Sequence, residues 1–347
     1  MPALREPDLA VYVLVFVLQA ASAAFTPTFQ ATIPDVLPEE KRDTRALSLS
    51  RLAYDLENLV SPTLAALLLA ILGYQTLFLR TTLGFLASAL LVISVLLPTP
   101  KPSRRRGVCD RTTRGLRIYL ATPRLRGLLA LNLAAAGAMV LVNTIVLVRT
   151  GLGLGETEVA LALGALGAGS MLAALSLPRL LDGIADCPVM LCGAVILVAA
   201  LLALAGSVAL TPLQFVTLRA AWTIVGVGYS AVLTPSGRLL ARSAHAEDRP
   251  AVYAAQFALS HACWLLTYPL SGWLITAFGT MPTLLVLAGL ALMGLLAGAR
   301  LWPAGTEGGL EHRPDDLPPE HPHLAGQTHH RHPVVIDNYH LNWPRHA

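Results

Sequence analysis

Hydrophobic positions in this chain form neither the alternation of a half-buried strand nor the single stripe of a surface helix; they come as long blocks, apolar on every side. Nine blocks stand out, at 9–27, 47–72, 77–97, 127–148, 159–178, 189–210, 212–234, 251–276 and 283–302. A bilayer-crossing helix needs about 20 such residues, so the pattern predicts an all-α polytopic membrane protein with about nine transmembrane helices. The 47–72 block is polar in its first half, and Arg80 and Arg219 sit inside two others. Gly164, Gly167, Gly169, Gly226 and Gly228 fit membrane helices that approach closely, and Pro62 and Pro269 are tolerated there. The first block is not a cleavable signal: Asp8 stands where a basic region is required.

Charge then orients the blocks. Alternate connections hold three basic residues (28–46), nine (98–126), one (179–188) and three (235–250), while those between them hold one or none. The positive-inside rule predicts the N-terminus outside and the C-terminus in the cytoplasm. Composition agrees: 54% of the 347 residues are hydrophobic and 13% charged, against roughly a quarter charged in soluble domains. The net charge of +4 divides into −3 for 303–347 and +7 for the rest, so it reflects the connections and does not indicate nucleic acid. The four Cys make no disulfide framework. No metalloprotease, nucleophile-elbow, phosphate-loop or dinucleotide motif is present, which argues against an enzyme.

Several stretches, in order, resemble the major facilitator superfamily, particularly its bacterial drug- and metal-exporting branches. Ala24 to Pro38 (AFTPTFQATIPDVLP) is similar to the end of the family's fourth helix and the loop after it. Ser61-Pro62-Thr63-Leu64-Ala65-Ala66 resembles the helix-packing motif of its fifth, with Ser and Ala replacing Gly. Tyr119 to Arg126 resembles the entry to the seventh helix, Gly226 to Tyr229 with Leu233-Thr234-Pro235 the tenth, and Pro269 to Trp273 the eleventh. Pro178 to Asp186 resembles the signature loop after the eighth helix, without its run of basic residues. The resemblance implies that the chain covers the fourth to twelfth helices and lacks the first three, through a late start or a truncation. It divides the chain into a partial N-terminal half (1–97), a basic cytoplasmic linker (98–126), a six-helix C-terminal half (127–302) and a His-rich tail (303–347).

Ionisable groups within a membrane are costly and mark functional candidates. Asp55 and Glu57 lie roughly 10 Å inside the second block but point about 200° apart on a helix. Asp55 shares a face with Asn58 and Pro62, and Glu57 with Ser61. Either carboxylate accepts a coupling proton, or both are paired at the interface with Arg51 or Arg45. Arg219 either holds an anionic group in a cavity or snorkels to the surface. Gln256, His261, Trp264 and Tyr268 form a polar-aromatic stripe, the best lining candidate of the C-terminal half, with interhelical bonding of His261 as the plainer alternative. Asn132 and Asn143, three turns apart, either line a cavity or join helices.

Eight of the ten His follow Trp302, among Pro and acids in a segment that predicts disorder. Imidazole suits Ni, Co and Zn, so His321, His323, His329, His330, His332 and His340 are candidate ligands, although no fixed tetrahedral spacing is present. The alternative is a solvated tail with incidental affinity. His-rich tails of nickel-resistance exporters in the resembled family add to the metal reading.

Together these features predict a proton-coupled efflux transporter, working by alternating access on a small amphipathic compound or a divalent metal ion. Its partners are the lipid bilayer, that substrate and protons; no cofactor is required, and a full-length chain is expected to be a monomer. The alternative is a transport-incompetent, truncated membrane protein acting as a metal-binding or regulatory anchor.

Overall fold

The computed structural model describes residues 6–37, 71–95, 108–138 and 144–302, isolated helical positions at 46, 49, 50, 53 and 68, and residues 310–312, 330–332, 335–336 and 343. Its helices are α1 (Glu6–Val36), α2 (Tyr74–Ser94), α3 (Val108–Ala121), α4 (Pro123–Gly137), α5 (Glu156–Leu181), α6 (Asp186–Leu210), α7 (Phe215–Leu233), α8 (Ser236–Ala241), α9 (Arg249–Phe278) and α10 (Thr280–Leu301). A π-helical turn, Leu147–Gly151, precedes α5.

Six described segments are long and apolar enough to cross a membrane: Leu9–Val36, Tyr74–Ser94, Glu156–Leu181, Asp186–Leu210, Phe215–Ala241 and Thr280–Leu301. They correspond to six of the nine expected blocks. Of the others, 47–72 falls largely outside the described residues, and 127–148 is described only on either side of 139–143. The third, 251–276, lies within the continuous 30-residue helix α9, whose Gln, Ser, His, Thr and Tyr lower its hydropathy.

Some boundaries differ from the sequence reading. Helix α1 runs on to Val36 through Pro27 and Pro34, where a connection was expected from residue 28. A proline within a helix leaves a carbonyl without its partner. Thr28 and Thr32 help to hold the turns around Pro27, their hydroxyls donating to the carbonyls of Ala24 and Thr28 at 2.8 and 2.9 Å. The basic linker is not all loop, because its second half folds as α3. In the tail, Leu310–His312 pairs antiparallel with His330–His332, which sets His312 opposite His330.

The core lies in the C-terminal block. Helix α7 packs between α5 and α6, α10 packs on α4 and α6, and α9 joins α3, α4, α10 and α1. Trp222, Leu125, Leu128, Leu131, Met190, Leu197 and Leu201 are fully buried there. Small residues set the spacing. A Cβ on Gly169 would lie 2.0 Å from the Thr223 carbonyl oxygen, and one on Gly226 would lie 2.1 Å from that of Leu166. Helices α5 and α7 thus touch backbone to backbone, the close approach that substitutes in lipid for a hydrophobic driving force. By contrast α2 buries no residue, and among the side chains described in α1 the buried ones are Pro27, Ala31 and Pro34, one helical stripe, on the part that meets α9.

Candidate functional site

One end of the C-terminal bundle gathers most of its charge. Asp186 opens α6, where a carboxylate is favoured by the helix dipole. Its Oδ1 accepts from Arg238 Nε at 3.0 Å and from a terminal nitrogen of the same guanidinium at 2.5 Å. The other oxygen of Asp186 accepts from Arg242 at 3.3 Å. Arg238 also donates to the Leu181 carbonyl at the end of α5, at 3.1 Å. A single buried guanidinium therefore ties α5, α6 and α8, and Tyr253 adds α9 by donating to the Gly237 carbonyl at 2.7 Å. Such charge-assisted bonds are roughly twice as strong as neutral ones.

Three more contacts stitch this end to its surroundings. Asp248, the N-cap residue of α9, receives Arg114 of α3 in a two-pronged bond, 2.5 and 2.6 Å. Next to it Arg249 donates to Asp35 of α1 at 2.7 Å, a link between α1 and the start of α9. At the start of α4, ahead of the apolar run from Gly127, Arg124 donates to the Arg242 carbonyl at 2.8 Å. Burial, with the neighbouring Arg242 charge adding to it and Asp186 opposing, pushes Arg124 down to about 10. It stays charged near neutral pH.

Further along α9 the expected stripe is partly assembled. Gln256 accepts a short hydrogen bond from the buried Tyr119 of α3. Trp264 meets Tyr229 of α7 edge-on at 6.1 Å and leans on Tyr268 at 5.7 Å. His261 is exposed; it stacks on Phe257 of its own helix at 4.0 Å, with Nδ1 2.7 Å from the Phe257 carbonyl. Arg219 is exposed as well, its guanidinium 5.4 Å above the Phe215 ring one turn earlier. Asn132 is buried in α4, and its Nδ2 has no hydrogen-bond partner among the described residues. Asp55, Glu57, Asn58, Ser61, Pro62, Ala65, Ala66 and Asn143 lie outside the described residues, as do His321, His323, His329 and His340.

His330 and His332 are described only as strand backbone. Among the described residues no group of three His, Cys, Asp or Glu could hold a metal ion. A recess of about 410 Å³ on α10, lined by Gly289, Leu292, Met293, Leu296, Ala297 and Arg300, lies on one helix face and gathers none of these groups.

The ion pairs at the charged end were missed as site residues. Arg238, Arg242 and Arg249 entered the sequence reading only as orienting charges, and Asp186 only as part of a loop. Each partner stands 52 or more positions away, beyond any local spacing rule. The one local signal was Glu247-Asp248-Arg249-Pro250, a charged start to a helix with Pro in its first turn.

The model of the family described as Major Facilitator Superfamily matches residues 3–182 and 127–336. No curated protein matches the chain.

Proposed function

Because the chain belongs to the major facilitator superfamily, and so is a multi-pass membrane transporter rather than an enzyme, we propose that it exports its substrate in exchange for protons by alternating access. The substrate is a small amphipathic compound or a divalent metal ion. The observation that carries this reading is the ion pair between Asp35 and Arg249. It joins the end of α1 to the start of α9, as a latch must if the two are to rock apart there. The Arg excess at this end supports a cytoplasmic position in a bacterial inner membrane. In that orientation the Asp35–Arg249 contact closes the cytoplasmic side, and substrate enters once it opens. Gln256, Trp264, Tyr268 and Asn132 line the path, and Asp55 or Glu57 carries the proton.

Flux into acid-loaded proteoliposomes tests the proposal, with ethidium and Ni²⁺ as probes. Accumulation of either, abolished by collapsing the pH gradient, is expected. Accumulation that ignores the gradient removes proton coupling. Ni²⁺ binding without flux of either probe replaces the transporter with the metal-binding anchor.

A further inference from the structure

The tail returns to the helix bundle. Ile336 is buried, 6% exposed, in the same apolar cluster as Ile118, Leu125, Leu239 and Ala244. Trp343 packs against that cluster with its ring 5.5 Å from the Arg124 guanidinium carbon. The far end of the same segment is fixed nearby. Trp302, which ends α10, lies against Gly127, where an added Cβ would meet its ring at 3.0 Å. Arg124 and Gly127 are three positions apart on α4, so they are neighbours on one face of its first turn. Trp302 and Trp343 thus meet a single helical turn, and the pairing of Leu310–His312 with His330–His332 falls between them in the chain.

What the returning segment touches matters. Trp343 covers Arg124, Arg124 holds the Arg242 carbonyl, and Arg242 reaches Asp186. An aromatic face over a guanidinium is a favourable contact, and Ile336 adds apolar burial in the same segment.

We propose that the charged end of the bundle is a docking surface for the chain's own C-terminal segment, and that Trp343 seated on Arg124 clamps the Asp186–Arg238–Arg242 network shut. Release of Trp343 from Arg124 opens the clamp. As a brake on transport this rests on the function proposed above. Its test needs no substrate, so failure of docking and failure of transport are told apart.

Cys187, half-buried and in no disulfide, stands next to Asp186 in the chain and reports on the network. The test uses the full chain in nanodiscs with Cys109, Cys192 and Cys263 replaced, and follows alkylation of Cys187 by a water-soluble maleimide. Trp343→Ala is expected to speed alkylation roughly two- to thirty-fold, the range of one cation–π contact. Trp343→Phe, which keeps a ring on Arg124, should stay close to the parent. A peptide of residues 333–347 added to a chain ending at 332 should slow alkylation again. Separately, a benzoylphenylalanine at 343 should cross-link to residues 118–128. Equal alkylation rates in all forms, or cross-links only to lipid or to other parts of the chain, would overturn the proposal.

Discussion

Arg238 and Asp186 are both nearly buried, with side chains 8% and 3% exposed, and their closest approach is 2.5 Å. A buried pair of this kind contributes little over an apolar replacement, yet breaking it strands a charge. Asp186→Leu or Arg238→Met alone should therefore cost about 3–5 kcal/mol. The double variant Asp186→Leu with Arg238→Met should recover most of that loss. Denaturation in mild detergent reads the cycle; additive losses would mean that the two residues do not act as a pair.

Gly226 should tolerate no side chain. Even Ala there would drive its Cβ into the Leu166 carbonyl, since both contacting atoms are backbone and α5 and α7 would have to separate. Gly206, also helical, has nothing within 4 Å of its would-be Cβ. Gly226→Ala is expected to lose well over 1 kcal/mol, while Gly206→Ala should be neutral or gain up to about 1 kcal/mol from helix propensity. Thermal unfolding of the two variants side by side makes the comparison, and equal behaviour would deny the close crossing.

The Asp35–Arg249 link is a quarter exposed on each side. It is worth about 1 kcal/mol or less, enough to shift a two-state equilibrium roughly fivefold but not enough to lock it. Arg249→Glu should tilt the protein toward an opening at this end and impair transport. Exchanging the charges, Asp35→Arg with Arg249→Asp, should restore it. Maleimide labelling of a cysteine placed at Val252 follows the opening, and a swap no better than the single change would rule out a direct pair.

Asn132 separates lining from packing. Its buried amide nitrogen has no partner among the described residues, so Asn132→Leu should leave stability unchanged or raise it. If the amide meets substrate, the same variant loses transport. A marked fall in stability would assign Asn132 to interhelical bonding instead.

Much of the architecture was legible because the bilayer imposes it. A run such as Asp186–Leu210, with mean hydropathy 2.7 in its most apolar stretch, has few alternatives to a spanning helix. Boundaries were less legible. The apolar run stops at Pro27, yet α1 continues through it and Pro34 to Val36. The 98–126 stretch read as loop because its Arg content hid the apolar side carried by Ile118 and Tyr119, which α3 buries. The candidate site was least legible. Rules for membrane charges single out ionisable residues within hydrophobic blocks, whereas the ion pairs at the charged end join partners 52 or more positions apart in sequence. His261 and Arg219 satisfied the rule but stack on rings of their own helices at the surface.

Helix α3 gives the connection between the two hydrophobic blocks an unexpected mechanical character. Gly115 lies so close to α9 that a Cβ there would fall 2.0 Å from the Ala251 oxygen. Arg114 and Tyr119 fasten α3 to Asp248 and Gln256 on either side of that crossing. The described part of the connection, Val108–Ala121, is therefore a helical strut seated on α9 rather than a slack tether.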